Sequence, residues 1–245
     1  MTTNNFWSRV PAHSIISGAV IISALIWGMF YYQSAKLSSG RDVLSVTGSA
    51  KTKVTSDVAK LTLSTIHVTY GRSLATGNQA VSRDVELIKS LVKSKGFKDT
   101  DMTITPVYMD QVYESNQPVD PKYNLRQTII IQSSDIQKIT DISKAVPTLS
   151  SQGAIVSVQS LEYYYSKLPE LRVKLLSSAI KDAEARAKSI VESTGRKVGS
   201  IRSASSGVVQ VLPVNSVEIS DYGSYDTSYV DKDVMVTVKA TFGLK

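Results

Sequence analysis

The sequence predicts an α+β domain preceded by one transmembrane helix, and three observations support this fold class. Residues 14–32 form an apolar run without a charged side chain. Downstream, segments in which apolar and polar residues alternate recur between segments with helical periodicity. The last of them, residues 234–242, alternates over its whole length. Such a mixture packs helices against one face of sheets, which we expect to be largely antiparallel.

The apolar run is long enough to cross a bilayer. At about 1.5 Å per residue, a helix over residues 14–32 covers roughly the 30 Å hydrocarbon core. The run has no polar face, which disfavours a buried helix of a soluble domain. Four aromatic residues near its end suit the membrane interface, namely Trp27, Phe30, Tyr31 and Tyr32. The chain then divides into a tail, an anchor, a linker and an extramembrane domain at residues 1–13, 14–32, 33–42 and 43–245.

A cleavable signal peptide is the alternative to a permanent anchor. Signal peptides carry about 7–15 apolar residues before a site with small residues, and this run is longer. The candidate cleavage point after Ala35 has Gln33 two positions earlier, which makes a poor site. The sequence therefore favours an uncleaved anchor. Arg9 precedes the run and Lys36 and Arg41 follow it, so the charge bias barely discriminates between the two orientations.

The first part of the domain is predicted as strand, strand and helix. Residues 43–50 and 58–68 are strand-like. Residues 73–95 form a helix, and Gly96 suits the left-handed position that follows it. The apolar stripe of this helix consists of Leu74, Val81, Val85, Ile88 and Val92.

The second part again places strands around a helix. Residues 102–113 and 125–132 are strand-like. Asp135 can cap a helix that runs to about residue 150, with Pro147 bending or ending it. Residues 154–165 form the next strand, so the sequence predicts two successive β-α-β units.

A long alanine-rich helix and two strands complete the domain. Residues 168–194 form the helix, with Pro169 in its first turn and Gly195 after its end. Its apolar face consists of Leu168, Leu171, Leu175, Ala179, Ala183, Ala187 and Ile190. A β-rich stretch follows at residues 198–214, which we expect to be broken at 205–207. Residues 215–233 form a polar, tyrosine-rich loop, and residues 234–242 form the alternating strand.

Charge and composition exclude several classes of function. Residues 43–245 contain 25 Lys and Arg against 20 Asp and Glu, a net charge of +5. The basic residues are dispersed and form no cluster with interleaved aromatics, so we expect no nucleic-acid partner. The absence of cysteine excludes disulfides, thiol catalysis and Cys-ligated zinc.

Candidate catalytic residues are few. His67 is the only histidine beyond the anchor, and with no cysteine or close acidic partner in the sequence it makes no recognisable zinc site. No Gly-x-Ser-x-Gly, P-loop or dinucleotide motif occurs. The carboxylate pairs Asp99/Asp101 and Asp231/Asp233 suit a glycosidase or a hard metal, but helix capping and turn solvation explain them more simply. We predict no enzyme, no catalytic residue, no cofactor and no metal site.

Tyrosines are concentrated in two segments of the domain. One is residues 163–165 and the other lies within the loop 215–233. Tyrosine is enriched at interfaces because its ring buries area while its hydroxyl keeps a partner. These rings either pack inside the domain or contact another subunit. The candidate oligomer contacts are Tyr163, Tyr165, Tyr222, Tyr225 and Tyr229.

Several stretches, taken together, resemble the SIMPL domain family, which includes periplasmic immunogenic proteins and oxidative-stress-associated envelope proteins. They are residues 46–50 (VTGSA), 56–61 (SDVAKL), 95–97 (KGF), 101–108 (DMTITPVY), 153–154 (GA), the alanine-rich helix 179–195 and 197–199 (KVG). The similarity covers residues 44–244 and departs at 230–233, where the family often has a Pro-Gly-Glu-like turn. The resemblance implies an envelope or periplasmic location and, in some members, self-association into rings or cages. It supplies no catalytic residues.

We therefore expect a single-pass protein of the bacterial inner membrane with its large domain in the periplasm. Its partners would be the lipid bilayer and further copies of itself in a homo-oligomer, either a ring or a cage. Its role would be structural or interactive, with the link to envelope stress that the resemblance implies. One alternative is a ligand-binding module of the envelope, which requires a deep apolar pocket. The other is a hydrolase of envelope polymers, which requires two carboxylates converging in a cleft.

Overall fold

The computed structural model describes residues 12–38, 42–113, 119–216 and 220–245. Its α-helices are α1 (Ala12–Ser38), α2 (Leu74–Ser94), α3 (Ile136–Ala145), α4 (Pro147–Ser150) and α5 (Leu168–Glu192). Its strands are β1 (Val43–Thr55), β2 (Val58–Tyr70), β3 (Met102–Ile104), β4 (Tyr108–Val112), β5 (Lys122–Ser133), β6 (Val156–Tyr164), β7 (Val198–Pro213), β8 (Ser224–Tyr225) and β9 (Asp231–Leu244).

The strands form two sheets, so the chain is α+β as predicted. The first sheet has the order β1-β9-β7-β8, and the second has the order β3-β5-β2-β6 with β4 also paired to β5. In the second sheet β2 runs antiparallel to β5, from Ala59 opposite Ser133 to Tyr70 opposite Lys122. It also runs antiparallel to β6, with one shift in register. The short strand β8 is parallel to β7.

The chain divides into two compact units. The larger consists of Val46–Arg186 and Ala204–Ala240. The smaller consists of Ala187–Ser203 and Thr241–Lys245 together with the described residues up to Ser45. The elements β1, α5, β7 and β9 contribute residues to both units. Both hydrophobic cores described below belong to the larger unit.

The larger core lies between the second sheet and the helices α2 and α3. From β2 it takes Leu61 and Leu63, and from β5 it takes Ile129 and Ile131, all fully buried. Their two-residue spacing places them on one face of the sheet. The apolar stripe predicted for α2 is confirmed from its second turn onward, since Val81, Val85, Ile88 and Val92 are buried. Each such side chain contributes about 1.5–3 kcal/mol by leaving water.

The smaller core lies between α5 and the first sheet. Leu175 packs with Val211 of β7 and with Val234 and Val236 of β9. The predicted alternation of the last strand is confirmed, because its valines are buried. The absence of a side chain at Gly48 also lets β1 approach α5 closely, since a Cβ on Gly48 would lie 2.8 Å from the Cα of Ala183.

Two prolines divide elements that the sequence predicts as longer. The strand predicted over residues 102–113 is wrong as a single element, because it is split into β3 and β4. Pro106 lies between them and has no N–H to continue the ladder, while Thr105 just before it still exchanges hydrogen bonds with Thr128 of β5. Pro147 takes the first position of α4 just after α3 ends, as predicted.

The break predicted in the middle of β7 is wrong, because this strand is continuous from Val198 to Pro213. A Cβ added to Gly207 would overlap the hydroxyl oxygen of Thr237 on β9. Glycine at this position therefore leaves room for the side chain of Thr237, and its lack of a side chain does not end the strand.

The helix α1 contains the predicted anchor and exposes its aromatic residues. Trp27, Phe30, Tyr31 and Tyr32 are each at least two-thirds exposed. No helix within the described residues is both long and apolar enough to cross a membrane. Most of the predicted tail, including Arg9, lies outside the described residues, as does Arg41 of the predicted linker.

Candidate functional site

The outer edge of β7 is unpaired over most of its length in the described chain. One side of β7 faces β9, and on the other side β8 pairs only with Gln210 and Val211. Residues 204–209, which we call the open edge, contain neither a charged residue nor proline. Proteins usually protect an edge strand with charges, proline or a bulge, because its free N–H and C=O groups can pair with another chain. The open edge therefore lacks protection by charged residues and by proline.

A loop rich in tyrosine lies beside the open edge. We call residues 220–229 the tyrosine loop. A Cβ on Gly223 of this loop would lie 3.1 Å from the carbonyl oxygen of Val209 and 3.5 Å from the Cβ of Val208. Tyr222 is 97% exposed and Val208 is 39% exposed. Exposed aromatic and aliphatic groups beside an unpaired strand are suited to a contact with another protein chain.

On β1, at the opposite edge of the same sheet, one backbone N–H is occupied by a carboxylate. The backbone N–H of Ser49 donates to Oδ2 of Asp182 on α5 over 2.8 Å. The same oxygen accepts from Nε of Arg186 over 2.8 Å. The Ser49 N–H and the Arg186 guanidinium stabilise the ionised carboxylate and lower the pKa of Asp182. A charge that already occupies the edge N–H disfavours pairing with a further strand there.

Most of the other tyrosines of the two segments make contacts within the chain. Tyr163 is buried, and its hydroxyl lies 3.0 Å from the hydroxyl of Thr140 on α3. The hydroxyl of Tyr225 accepts from the backbone N–H of Tyr165 over 3.2 Å, and its ring lies 6.1 Å from that of Tyr164. Tyr163 thus belongs to the core, and Tyr225 joins the tyrosine loop to the end of β6. The most exposed of the predicted contact residues are Tyr222 and Tyr229.

The expectation that His67 has no close acidic partner is wrong, because its ring bonds to the buried carboxylate of Asp84. Oδ2 of Asp84 accepts from Nε2 of His67 over 2.7 Å, from the hydroxyl of Thr65 over 3.1 Å and from the backbone N–H of Ile155 over 2.9 Å. The Asp84 side chain is only 2% exposed. Three donors on one carboxylate oxygen offset the cost of burying it and connect α2, β2 and the segment before β6. The sequence does contain a signal for the burial of Asp84, because this residue follows Val81 by three positions and so lies within the apolar stripe of α2.

The two predicted carboxylate pairs are held in ion pairs and caps. Their partners are Lys93 for Asp99, the backbone N–H of Lys98 for Asp101, Lys53 for Asp231 and Lys51 for Asp233. The bond to Lys93 lowers the pKa of Asp99, and the bond to Lys51 lowers that of Asp233. A glycosidase general acid needs the opposite shift. Within the described ranges, no group of three or more potential metal ligands occurs.

A lysine is fully buried under the tyrosine loop. Nζ of Lys232 donates to the backbone oxygen of Asp226 over 2.5 Å and lies 3.5 Å from Oδ2 of the same residue. The Asp226 carboxylate also accepts from the backbone N–H groups of Ser228 and Tyr229. Burial lowers the pKa of Lys232, and the Asp226 carboxylate opposes this shift. Lys232 on β9 therefore connects to the tyrosine loop through the contacts of its buried Nζ with Asp226.

Replacing Lys232 with methionine should remove a pH dependence of stability. Because the folded-state pKa of Lys232 lies below the usual value of about 10.5, the unfolded chain binds more protons between these two values. Stability should therefore rise with pH through this interval in the wild type and rise less in Lys232→Met. Urea denaturation from neutral to alkaline pH measures both slopes. Lys174→Met, at an exposed lysine of α5, should keep the wild-type slope. Equal slopes in wild type and Lys232→Met would contradict the assignment.

An open cavity of about 560 Å³ lies at one end of the first sheet in the larger unit. It is lined by Lys53, Pro213, Val214, Tyr229, Val230 and Asp231. The two charged residues of this lining are paired with each other, with Nζ of Lys53 3.1 Å from Oδ2 of Asp231. The cavity thus offers an apolar wall and one neutralised ion pair, and we assign it no ligand.

Comparisons with known proteins identify a family and no activity. The chain is similar to a solved structure described as a hydrolase from Listeria innocua, with 9% identity and a TM-score of 0.21, over 88% of this chain and 98% of that one. A TM-score this low supports no conclusion about fold or activity. A comparison with curated proteins finds no match.

A family model does match the domain that the two sheets build. The model is that of SIMPL, described as a protein of unknown function (DUF541), and it matches residues 44–242. This range begins within β1 and ends within β9, so it includes the open edge, the tyrosine loop and the His67–Asp84 pair. Because the model spans most of the chain, the protein belongs to the SIMPL family.

Proposed function

We propose that this protein is a membrane-anchored component of the bacterial cell envelope whose SIMPL domain self-associates through the open edge of β7. Its role is structural or interactive and not enzymatic, with the connection to envelope stress that the family resemblance implies. The observation that carries the proposal is a strand edge that, among the described residues, is largely unpaired and carries no charge or proline, with exposed Val208 and Tyr222 beside it. At the opposite edge of the sheet, Asp182 occupies the N–H of Ser49.

A second copy of the chain is the occupant that fits the open edge best. Residues 204–209 carry small uncharged side chains, so two such edges can approach without charge repulsion or bulk. Antiparallel pairing about a twofold axis would bury the same residues from both subunits. Tyr222 and Tyr229 would then flank the pair and supply a further contact through which dimers build a ring or a cage.

A charge introduced into the open edge should prevent assembly. In detergent, the full chain should have a protein mass of at least twice the 26.7 kDa subunit by light scattering. Val208→Lys should reduce it to one subunit, because pairing would bring two added charges together. Tyr222→Ala should reduce it in part. The matched control is Val173→Lys, at an exposed valine of α5, which should leave the mass unchanged. A monomeric wild type, or an unchanged mass in Val208→Lys, would refute the proposal.

The anchor is supported by the uncharged apolar run within α1 and by its exposed aromatic side chains. The full chain should remain with membranes after carbonate extraction, and a variant lacking residues 1–39 should be released as a folded domain. Protease added to spheroplasts should digest the large domain if it lies in the periplasm. A mature protein beginning near Lys36 would instead establish a cleaved signal peptide, and protection until lysis would reverse the topology.

A further inference from the structure

Three chain segments of the smaller unit meet where the polypeptide leaves α1. The backbone oxygen of Asp42 accepts from the N–H of Leu244 over 2.8 Å. Lys197 and Lys245 exchange backbone hydrogen bonds of 2.9 Å and 2.8 Å. Nη1 of Arg196 lies 2.8 Å from Oδ2 of Asp42. The start of β1, the start of β7 and the end of β9 are thereby joined. We call this region, residues 42–45, 192–203 and 241–245, the basic end.

The basic end carries an excess of positive charge. Its four basic side chains are Arg196, Lys197, Arg202 and Lys245, and its two acidic side chains are Asp42 and Glu192. Arg196 neutralises Asp42. Lys197, Arg202 and Lys245 have no ion pair among the described residues, and all three are exposed. The charge of these three side chains is therefore not neutralised by an ion pair among the described residues, which leaves it available to an anionic partner.

A concavity of about 570 Å³ lies within the basic end. It is lined by Asp42, Val43, Arg202, Gly243 and Leu244. Nε of Arg202 would be 3.1 Å from a Cβ on Gly243, so the guanidinium lies directly over this glycine. Val43 and Ile201 nearby are 47% and 45% exposed. Cationic groups interspersed with exposed aliphatic side chains suit the boundary between lipid headgroups and acyl chains.

The chain itself keeps the basic end close to the end of α1. Only residues 39–41 separate Ser38 of α1 from Asp42, and four residue steps span at most about 14 Å. At 1.5 Å per residue, α1 extends about 9 Å past Tyr32, which is comparable to the depth of the headgroup layer. For an anchor that spans residues 14–32, Ser38 lies at the headgroup surface, and the basic end is held beside it.

We propose that the basic end binds anionic lipid headgroups at the membrane surface from which the anchor emerges. Arg202 and the neighbouring Lys197 and Lys245 supply the cationic contacts, and Val43 and Ile201 supply the apolar ones. This inference rests on the proposed anchor. Each basic residue near an anionic surface strengthens binding about five-fold, so the three together favour the docked state by roughly 100-fold at low salt. The attraction falls as salt is added, because the screening length shortens.

The test uses the full chain in lipid nanodiscs. Because the protein has no cysteine, Ser200→Cys gives one site for a fluorophore at an exposed position of the basic end. Discs contain a lipid with a quencher on its headgroup, and phosphatidylglycerol replaces part of the phosphatidylcholine in one set. We expect severalfold stronger quenching in the anionic discs, and its loss at high salt. The stronger quenching in anionic discs should also be absent from the triple variant Lys197→Gln, Arg202→Gln, Lys245→Gln. The control Lys144→Gln, Arg172→Gln, Lys174→Gln removes the same charge from exposed sites elsewhere and should keep it.

The outcomes separate this inference from the proposed anchor. Stronger quenching in anionic discs that depends on salt and on the basic end supports the inference. Equal quenching in both lipid sets, or an equal loss of quenching in both triple variants, overturns the inference about lipid binding. If the protein still co-elutes with the discs in that case, the proposed anchor is upheld. Failure of the protein to co-elute with discs overturns the anchor, and the inference with it.

Discussion

Replacing Gly48 with alanine should destabilise the larger unit by about 3 kcal/mol or more. An added Cβ would overlap the carbonyl oxygen of Ala179 and the amide nitrogen of Ala183, and would lie 2.8 Å from the Cα of Ala183. These are backbone atoms of α5, so no side chain can rotate away to make room. Relief requires α5 to move off β1, which would disturb the bond from Ser49 to Asp182. The thermal midpoint should fall by roughly 6–12 °C.

The matched control for this substitution is Gly28→Ala. No atom lies within 4 Å of a Cβ placed on Gly28. Alanine is also the better helix former, so the unfolding midpoint of the domain should not change. Circular dichroism and scanning calorimetry on both variants measure the difference. If Gly48→Ala melts with the wild type, the close approach of β1 to α5 does not exist in solution.

Replacing Asp84 with alanine should cost about 3–5 kcal/mol of stability. The substitution leaves three donors without their acceptor, namely the His67 ring, the Thr65 hydroxyl and the Ile155 N–H. Thr65 is fully buried, so water cannot replace the lost bond without opening the structure. Asp84→Asn keeps the shape and one acceptor oxygen, so its loss should be smaller. Urea denaturation at neutral pH gives the free energies of unfolding.

Glu86→Ala on the same helix is the control for Asp84. Glu86 is exposed, and the partner of its carboxylate within the described part of the chain is Lys89, one turn later, over 2.7 Å. Exposed pairs of this kind contribute about 0.2–1 kcal/mol, so the two substitutions should differ by several-fold in their effect. Similar small losses for Asp84→Ala and Glu86→Ala would mean that the buried carboxylate does not hold α2 to the sheet.

Periodicity alone was enough to predict most elements and their buried faces. The stripe of α2 and the alternation of β9 depend only on spacing within one segment, and both are confirmed. The same spacing also places two charged residues on buried faces, because Asp84 lies in the stripe and Lys232 shares the face of Val234 and Val236. Their burial could have been predicted from the sequence. Their partners could not, because the contacts of Asp84 come from two strand regions distant in sequence.

What the sequence by itself determined is local: the apolar run, the element types, the inward faces and the family. The tertiary structure decided which strand edges are open, because β7 and β1 become the flanks of β9 only after residues far apart in the chain pair. It also decided that Tyr163 lies in the core and Tyr222 in solvent, although both belong to tyrosine-rich segments. The spacing of residues along one segment indicates which face of the helix or strand each side chain lies on. Exposure of an edge or a ring depends on contacts between segments, which local spacing does not encode.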